Sequence, residues 1–317
     1  MAVHTQLKKK DIINILSNYN LGVLIRFSGI KDGIENTNYK IETNTNKYIL
    51  TIFEKRVKKS NLPFFLKLMK LSNENGIKCP QPIFDKKGNL INQIKSKSFS
   101  FFTFLDGQSK KKWSSKTCFN LGKTLAEFHQ ANEKTNFNIK NDFGLLYWES
   151  LFIEIKKKLN KNESSLINKE INFLKNSWPK DLPRGVIHAD LFPDNIFFKN
   201  SSISGILDFY FSCYDFLIYD LAIVINAWCF IRGNFEKKNF HNIIAGYQSI
   251  RNLEKKEKDA FNIMLRGASM RFLLTRLFDK LNKHNDKLVE KKNPQEFLDI
   301  LKFHIQNITE FKNEQQL

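Results

Sequence analysis

The stretch His188-Ala-Asp-Leu-Phe-Pro-Asp-Asn195, followed closely by Asp208-Phe-Tyr210, decides the fold of this chain. Two short apolar runs, 196–198 and 203–207, lie between these stretches and are separated by a turn at 200–202. Such a pattern predicts a hairpin that returns the second stretch to the side of the first. One carboxylate then faces an acceptor hydroxyl, while the other carboxylate and the amide oxygen supply hard ligands for Mg²⁺.

A simpler interpretation is that the loop is only an acidic, solvated turn. A single His-x-Asp is common, and a hairpin that ends in Asp can be an ordinary connection. Here three spacings agree, and the residues on either side are apolar, as buried strands require. The combined pattern is typical of kinases, in which the Asp of such a loop is the catalytic base.

Length and composition describe a folded chain without a predicted membrane segment. The chain has 317 residues, of which 42% are hydrophobic and 13% aromatic, enough for one large domain or two lobes. No apolar signal core follows the N-terminus, and the longest apolar run, 221–230, is too short to cross a bilayer. Its four cysteines form no CxxC pair, which is typical of reduced thiols in a cytosolic protein. We therefore expect a cytoplasmic protein and no membrane partner.

The net charge of +19 raises the question of a nucleic-acid partner. The lysines are scattered, with short clusters only at 8–10, 110–112 and 156–158, and no RNA- or DNA-binding signature accompanies them. Solvated basic faces explain the charge better than nucleic-acid binding does. A positive field would still attract an anionic nucleotide.

Periodicity predicts an α+β protein with two lobes of the protein-kinase-like kind. Residues 1–105 form an N-terminal nucleotide-binding lobe, with an antiparallel sheet from strands at 23–27, 38–42, 47–53 and 98–105. Residues 106–317 form a mainly helical C-terminal lobe that holds the catalytic loop and the substrate site. Ser114 or Ser115 can cap the first helix of that lobe, and Asn293-Pro294 begins its last.

Two places in the N-terminal lobe are candidates for holding a nucleotide. The connection 28–37 between two strands is rich in glycine, amide and hydroxyl groups, and its backbone amides can cover phosphates. The candidates in and beside it are Gly33, Asn36, Thr37 and Asn38. Such loops are also ordinary hairpin turns, so the interpretation depends on the loop at Asp190. In a kinase, the adenine would hydrogen-bond backbone groups near Phe102 to Phe104.

Five stretches together resemble one family, the aminoglycoside-phosphotransferase-like kinases, and within it the homoserine kinases of that fold. The stretches are Gly33-Ile-Glu-Asn-Thr-Asn-Tyr39, His188 to Asn195, Asp208-Phe-Tyr-Phe211, Tyr219-Asp-Leu-Ala222 with Asn226-Ala-Trp-Cys229, and Arg266-Gly-Ala268 with Arg271-Phe-Leu-Leu-Thr-Arg276. The resemblance covers nearly the whole chain. It implies ATP- and Mg²⁺-dependent phosphorylation of the side-chain hydroxyl of L-homoserine, a step of threonine biosynthesis.

The same resemblance implies roles for individual residues. Asp190 is the catalytic base, Asn195 and Asp208 are the magnesium ligands, and His188 supports the loop. Asp220 is expected to be structural and to bond back to the catalytic loop.

Four positions depart from protein kinases. Ala189 stands where they carry an Arg that reads a phosphorylated activation loop, and Tyr210 stands where they carry Gly after Asp-Phe. Both fit a small-molecule kinase. Thr51 occupies the usual place of the strand Lys, and Phe65 falls near that of its helix Glu. The sequence leaves open what replaces that pair.

The substrate, a zwitterion, needs a cation for its carboxylate and a carboxylate for its ammonium. Arg266 and Arg271 share one predicted helix, and Arg271 falls on its apolar face, where a buried cation needs an anionic partner. That partner is either the substrate or an internal carboxylate such as Asp194 or Asp215. Asp194 is also a candidate for the ammonium, and Tyr210 is a further candidate substrate contact.

Two alternatives remain at this stage. The chain could be a related kinase acting on choline, methylthioribose or an aminoglycoside, although the arginine-bearing helix favours an anionic substrate. It could also be a nucleotide-binding module without catalysis, since the strand Lys is missing. Intact Asp190, Asn195 and Asp208 argue against that module.

Overall fold

The computed structural model describes residues 4–30, 36–54, 58–135, 137, 139–282 and 293–307. The chain divides into two compact units. Of the described residues, the first unit comprises those within 4–107 and 204–210, and the second comprises those within 108–203, 211–282 and 293–307. The segment 204–210, which carries Asp208, therefore packs with the N-terminal unit although it lies deep in the C-terminal half of the sequence.

The first unit is an antiparallel sheet with two helices. Its elements are α1 (Lys9–Leu16), β1 (Leu24–Gly29), β2 (Thr37–Thr43), β3 (Lys47–Ile52), α2 (Leu62–Glu74), β4 (Pro82–Ile83), β5 (Asn92–Ile94) and β6 (Lys97–Thr103). The sheet order is β1-β2-β3-β6-β4, and β5 pairs with β6. The four strands expected from the sequence are confirmed, whereas β4 and β5 are too short to show a period.

The core of the first unit follows from alternation along its strands. Buried and half-buried residues alternate along β2, so one face of the sheet is covered. Ile41, Leu50 and Phe101 are buried on that face, and Ile12 of α1 packs in the same cluster. Helix α2 ends just before Gly76, whose φ of +90° is the left-handed conformation that favours glycine.

The second unit is mainly helical, as expected. Its elements are α3 (Ser115–Ala131), α4 (Leu145–Ile155), α5 (Lys161–Ser177), β7 (Arg184–Ile187), β8 (Ile196–Lys199), β9 (Ser202–Ile206), β10 (Cys213–Phe216), α6 (Leu217–Trp228), β11 (Phe230–Ile231), β12 (Asn234–Phe235), α7 (Lys237–Gln248), α8 (Lys255–Leu281) and α9 (Pro294–Gln306). Strand β9 passes into the first unit at Ser204. The small sheets pair β7 with β10, β8 with β9, and β11 with β12.

Side-chain caps start the helices that the sequence predicted most sharply. The hydroxyl of Ser114 accepts a hydrogen bond from the backbone of Thr117 at the start of α3. Asn293 accepts from the backbone of Gln295 at the start of α9, with Pro294 in the first turn. Helix α6 is buried along nearly its whole length, which makes it the central helix of this unit.

Helices α3 and α7 approach each other unusually closely. A Cβ atom on Gly122 of α3 would lie 2.0 Å from the carbonyl oxygen of Ile243. A Cβ atom on Gly246 of α7 would lie 1.9 Å from the carbonyl oxygen of Phe119. Both positions therefore need glycine, because any side chain would push the two backbones apart. Residues next to these glycines, such as Tyr247, are consequently brought deep between the helices.

Within the described part of the chain, every helix is either too short or too polar to span a bilayer. All four cysteines are buried and carry free thiols.

Candidate active site

The catalytic loop begins at His188, directly after β7, and is held by backbone hydrogen bonds. The amides of His188 and Ala189 donate to the two carboxylate oxygens of Asp220, at 2.7 and 2.8 Å. The carbonyl oxygen of Ala189 accepts from Nη1 of Arg271 at 2.7 Å. Ala189 has a φ of +63°, a conformation that costs a non-glycine residue about 1–2 kcal/mol. Asp220 and Arg271 hold that conformation from both sides, and the expected bond from Asp220 to the loop is confirmed.

The arrangement around Asp190 orients its carboxylate. The side-chain amide of Asn195 donates to the backbone oxygen of Asp190 at 2.7 Å and to its Oδ2 at 3.0 Å. Because both bonds come from the amide nitrogen, the amide oxygen of Asn195 is the atom left to ligate a cation. Asp190 itself is only partly buried, so a substrate can reach it.

The buried ring of His188 contacts the backbone of this loop. Its ring is fully buried, and Nδ1 accepts from the backbone amide of Asp190 at 3.3 Å. The ring also lies edge-on to Phe128, with 6.2 Å between centroids. These contacts fit the supporting role that the family resemblance implied for His188.

Asp220 remains ionised although it is fully buried on α6. Burial alone raises its pKa. The hydrogen bond from His129, the charge interactions with His129 and His188 and the backbone amide of His188 outweigh that effect and lower the pKa below its usual value. A charged carboxylate accepts stronger hydrogen bonds than a neutral one, which suits its position under the loop.

Asp208 and Tyr210 belong to the first unit. Asp208 itself has a φ of +58°, so this segment, like the catalytic loop, contains a left-handed residue. The Tyr210 ring lies 5.5 Å from that of Phe53 and 5.7 Å from that of Phe65, in edge-on geometry. Its hydroxyl is hydrogen-bonded to Thr51, and burial raises its pKa, which keeps the phenol neutral.

The place of the strand Lys and helix Glu of other kinases is filled by Tyr210, Thr51 and Phe65. Thr51 donates to the side-chain oxygen of Asn38 at 2.8 Å and is hydrogen-bonded to Tyr210. A phenol, a hydroxyl, an amide and a ring thus occupy the region where kinases usually hold two opposite charges. Tyr210 and Asn38, expected at the substrate and the nucleotide, have side-chain contacts within the first unit.

The other candidates for nucleotide binding in this part of the chain are Gly33, Asn36 and Thr37. Gly33 lies outside the described residues. The Thr37 hydroxyl accepts from the amides of His4 and Thr5, at 2.9 and 3.0 Å, and donates to Glu54 at 2.7 Å. Asn36 accepts from the amide of Glu54 at 3.2 Å. The side chains of both residues are therefore engaged within the first unit.

Phe102 and Phe104 lie at the end of the sheet. Phe102 is buried and pairs with Ile49 of β3 and with Pro82 of β4. Phe104 follows β6, and the ammonium group of Lys40 lies 5.0 Å from its ring centroid.

Arg266, a candidate substrate contact, is engaged inside the second unit. Its guanidinium makes two hydrogen bonds of 2.6 Å to Glu170, and it lies 3.8 Å from the ring of Phe173. The guanidinium is almost fully buried in this pair.

Arg271, the other arginine, is 2% exposed and points under the catalytic loop. Its guanidinium carbon lies 5.0 Å from the ring centroid of Phe143 and 4.7 Å from that of Phe272. Its hydrogen bond goes to the Ala189 carbonyl. Within the described residues, that carbonyl and aromatic faces thus take the place of the anionic partner expected for this arginine.

The two carboxylates considered as partners lie elsewhere. Asp194 is exposed on the catalytic loop. Asp215 accepts from Asn141 at 2.8 Å and lies 3.6 Å from Arg184. Phe143, whose ring lies beside Arg271, carries no signal in the sequence beyond being aromatic.

An antiparallel-sheet unit carrying Asp208 and a helical unit carrying the Asp190–Asn195 loop define a kinase of the protein-kinase-like fold. The model of the phosphotransferase enzyme family matches residues 26–253. The homoserine kinase of Parvibaculum lavamentivorans is 40% identical over 308 residues, covering 96% of each chain. That of Rhizobium etli is 41% identical over 315 residues, covering 96% of this chain and 97% of the relative. The chain belongs to the phosphotransferase enzyme family and, within it, to the family of these homoserine kinases.

Solved structures of other kinases share the fold. An amicoumacin kinase in complex with AMP-PNP, Ca²⁺ and Ami superimposes with a TM-score of 0.72 at 13% identity, covering 95% of this chain and 93% of its own. A microcompartment-associated aminopropanol kinase superimposes with a TM-score of 0.71 at 15% identity, covering 96% and 98%. At these identities the likeness concerns the fold alone.

Proposed function

We propose that this protein transfers the γ-phosphoryl group of ATP to the side-chain hydroxyl of L-homoserine, giving O-phospho-L-homoserine and ADP. The observation that carries the proposal is similarity to curated homoserine kinases at 40% identity over 96% of both chains. The oriented carboxylate of Asp190 supports it, since a hydroxyl acceptor needs a base beside it.

Asp190 orients the acceptor and takes its proton. The homoserine hydroxyl forms the new O–P bond, the bond between the γ-phosphorus and the ADP oxygen breaks, and the hydroxyl proton passes to the Asp190 carboxylate. Asn195 keeps that carboxylate in place through the bond to Oδ2. His188, Asp220 and Arg271 keep the backbone before it in place. Precise placement of this kind accounts for much of the rate of phosphoryl transfer.

Asn195 and Asp208 would hold Mg²⁺. Their chemistry fits, because the Asn195 amide nitrogen already donates to Asp190 and leaves its oxygen, and Asp208 provides an anionic oxygen. Mg²⁺ in kinases is bound by one or two such side chains together with phosphate oxygens. When bound, the ion neutralises charge on the phosphates.

For substrate recognition we propose a distribution that differs from the expectation based on the α8 arginines. Arg266 and Arg271 are committed to Glu170 and to the catalytic loop, so we assign them structural and positioning roles. Asp194, exposed on the catalytic loop, is the group we propose for the substrate ammonium. Backbone amides of the loop before Thr37 and backbone groups near Phe102 and Phe104 are proposed to hold the ATP.

Release of ADP, measured separately with L-homoserine, choline, methylthioribose and kanamycin, tests the proposal. We expect turnover with L-homoserine, and a single new phosphate monoester in the ³¹P NMR spectrum of the products. Asp190→Asn protein, prepared in parallel, reports contaminating kinases. A higher kcat/KM for another alcohol would move the chain to a different substrate. Binding of ATP without turnover of any alcohol would identify a non-catalytic nucleotide-binding module.

A further inference from the structure

A line of buried polar groups leads away from the catalytic loop through the second unit. It begins at Asp220, whose carboxylate receives the amides of His188 and Ala189. Nε2 of His129, at the end of α3, lies 3.0 Å from the same carboxylate. Nδ1 of His129 lies 2.9 Å from the hydroxyl of Tyr247 on α7. The mechanism proposed above uses neither His129 nor Tyr247.

The line continues from Tyr247 towards the surface. Nη1 of Arg251 lies 3.3 Å from the Tyr247 hydroxyl, and its guanidinium forms two further bonds to Glu257, at 3.1 and 2.9 Å. The Glu257 side chain is fully buried, whereas that of Arg251 is 20% exposed. Five side chains from four helices and the turn after α7 thus connect the protein surface with the loop that carries Asp190.

The end groups of this line can each play only one hydrogen-bonding role. Arg251 can only donate, so the Tyr247 oxygen accepts from it and the Tyr247 proton is available for His129 Nδ1. Burial raises the pKa of Tyr247, which keeps that proton on the phenol. Because an ionised Asp220 can only accept, the proton between Asp220 and His129 lies on Nε2 of His129, which donates it to the carboxylate. Hydrogen bonds aligned in one direction reinforce one another in a low-dielectric interior.

The close approach of α3 and α7 makes the contact between His129 and Tyr247 possible. Gly122 and Gly246 remove the side chains that would otherwise separate the two helices. Tyr247 follows Gly246 directly and is fully buried. The same glycines that bring the helices together therefore place the phenol within hydrogen-bond distance of His129.

We propose that Tyr247 is a positioning residue for phosphoryl transfer. It fixes His129 as the Nε2–H tautomer, His129 fixes the orientation of the Asp220 carboxylate, and Asp220 fixes the two amides that precede Asp190. Replacing Tyr247 by Phe leaves the ring in place and removes only the hydroxyl. Nδ1 of His129 then loses its donor, and the imidazole is free to exchange tautomer or to rotate away from Asp220.

Steady-state kinetics of Tyr247→Phe protein provide the first test. We expect kcat for L-homoserine to fall by about tenfold or more, because a displacement of the order of 1 Å at a catalytic group can lower rates about 100-fold. The KM for ATP should stay within about twofold, since the nucleotide groups proposed above are unaffected.

Tyr19→Phe is the matched control. Tyr19 is 3% exposed, and its hydroxyl receives one hydrogen bond from Asn92, at 2.9 Å. Its removal also takes a hydrogen bond from a half-buried partner, but in the first unit and away from the polar line. We expect both variants to melt at lower temperature and only Tyr247→Phe to lose kcat. If Tyr247→Phe keeps its kcat and melts like Tyr19→Phe, the residue is merely structural and the proposal is wrong.

A second measurement needs no variant and no substrate. In wild-type protein labelled with ¹⁵N-histidine, the His129 ring can be assigned through its contacts with the Tyr247 ring. At pH 7 we expect a protonated Nε2 and an unprotonated, hydrogen-bonded Nδ1. A proton on Nδ1 would overturn the proposed direction of the line. Only the kinetic test rests on the proposed function, so absence of homoserine turnover in wild type would refute that function and leave the tautomer test decisive for this one.

Discussion

The segments that carry Asp190 and Asp208 both contain a left-handed residue, but different contacts hold each of them. Each contains a left-handed residue at or beside a functional aspartate: Ala189 before Asp190, and Asp208 itself. The first segment is held by buried charges, with Asp220 on its amides and Arg271 on its carbonyl. The second is followed by Tyr210, whose ring packs between Phe53 and Phe65 and whose hydroxyl meets Thr51. One segment relies on hydrogen bonds to charged side chains and the other on aromatic packing.

This difference has an energetic consequence. Removing a hydrogen bond to a charged group typically costs about 1.5–3 kcal/mol. Removing a neutral hydrogen bond costs about 0.5–1.5 kcal/mol. The catalytic loop should therefore be sensitive to small chemical changes beneath it, whereas the Tyr210 segment should tolerate changes that preserve its rings.

The largest effect is expected at Asp190, which follows the backbone groups that Asp220 and Arg271 hold. Asp190→Asn keeps the size of the side chain but removes the base, so kcat should fall by roughly 10²–10⁴-fold. Binding of ATP, followed by calorimetry, should be nearly unchanged. Turnover close to that of wild type would remove Asp190 from the role of base.

Asp208 probes the corresponding position in the other segment. Asp208→Ala should abolish productive Mg·ATP binding, because a hard anionic ligand is lost. Asp208→Asn, which keeps one oxygen, should need more Mg²⁺ for half-maximal rate than wild type and less than the alanine variant. An unchanged Mg²⁺ titration in both variants would show that Asp208 is not a ligand.

Arg271→Lys tests the contact between Arg271 and the catalytic loop. The charge is kept, but the guanidinium that reaches the Ala189 carbonyl and packs on the rings of Phe143 and Phe272 is lost, so the free energy of unfolding should fall by about 1.5–3 kcal/mol. All four tryptophans, at positions 113, 148, 178 and 228, lie in the second unit, so their fluorescence reports its unfolding. We also expect kcat to fall while the KM for homoserine stays constant.

Arg266→Lys is the matched control for that prediction, since it disturbs the pair with Glu170 on the same helix. It should lower stability without a comparable loss of kcat. A large rise in the homoserine KM for Arg271→Lys at unchanged stability would instead place Arg271 at the substrate carboxylate.

Acid should act on the second unit through His304, which lies 2.8 Å from Asn226 of α6, the helix that carries Asp220. Burial, with the positive charge of Arg266, lowers the pKa of His304 from 6.5 to about 3. Between these two values the unfolded chain binds a proton that the folded chain excludes, so stability falls as pH falls below 6.5. The slope from this group approaches about 1.4 kcal/mol per pH unit.

His304→Gln keeps an N–H donor for Asn226 and cannot titrate. We expect its stability, followed by tryptophan fluorescence, to decline less steeply than that of wild type between pH 6.5 and about 4. Parallel curves for the two proteins would mean that His304 does not govern this part of the acid response.

The smallest effect is expected at Tyr210. Tyr210→Phe keeps the ring between Phe53 and Phe65 and loses only the bond to Thr51, so stability should fall by about 0.5–1.5 kcal/mol. Circular dichroism suits this measurement, because the first unit contains no tryptophan. A loss above about 3 kcal/mol would mean that the hydroxyl, rather than the packed ring, holds the segment.

Much of this protein could be predicted from short stretches of sequence. The caps at Ser114 and Asn293 set the starts of α3 and α9, since capping depends on residues only two or three positions apart. Alternation along 38–42 predicted β2 for the same reason. The spacing of Asp190 and Asn195 foretold a single loop, and the structure joins the two by hydrogen bonds.

Contacts between residues that are far apart in the sequence could not be predicted from it. The arginine at 271 was known to lie on an apolar helix face, but its bond to Ala189 spans 82 positions and depends on how α8 packs against the catalytic loop. Tyr210 was expected at the substrate, yet its ring packs with Phe53 and Phe65. His129 and Tyr247 meet only because two glycines allow α3 and α7 to approach. Local patterns fix which elements form, whereas the neighbours of a buried side chain are decided by the packing of several elements at once.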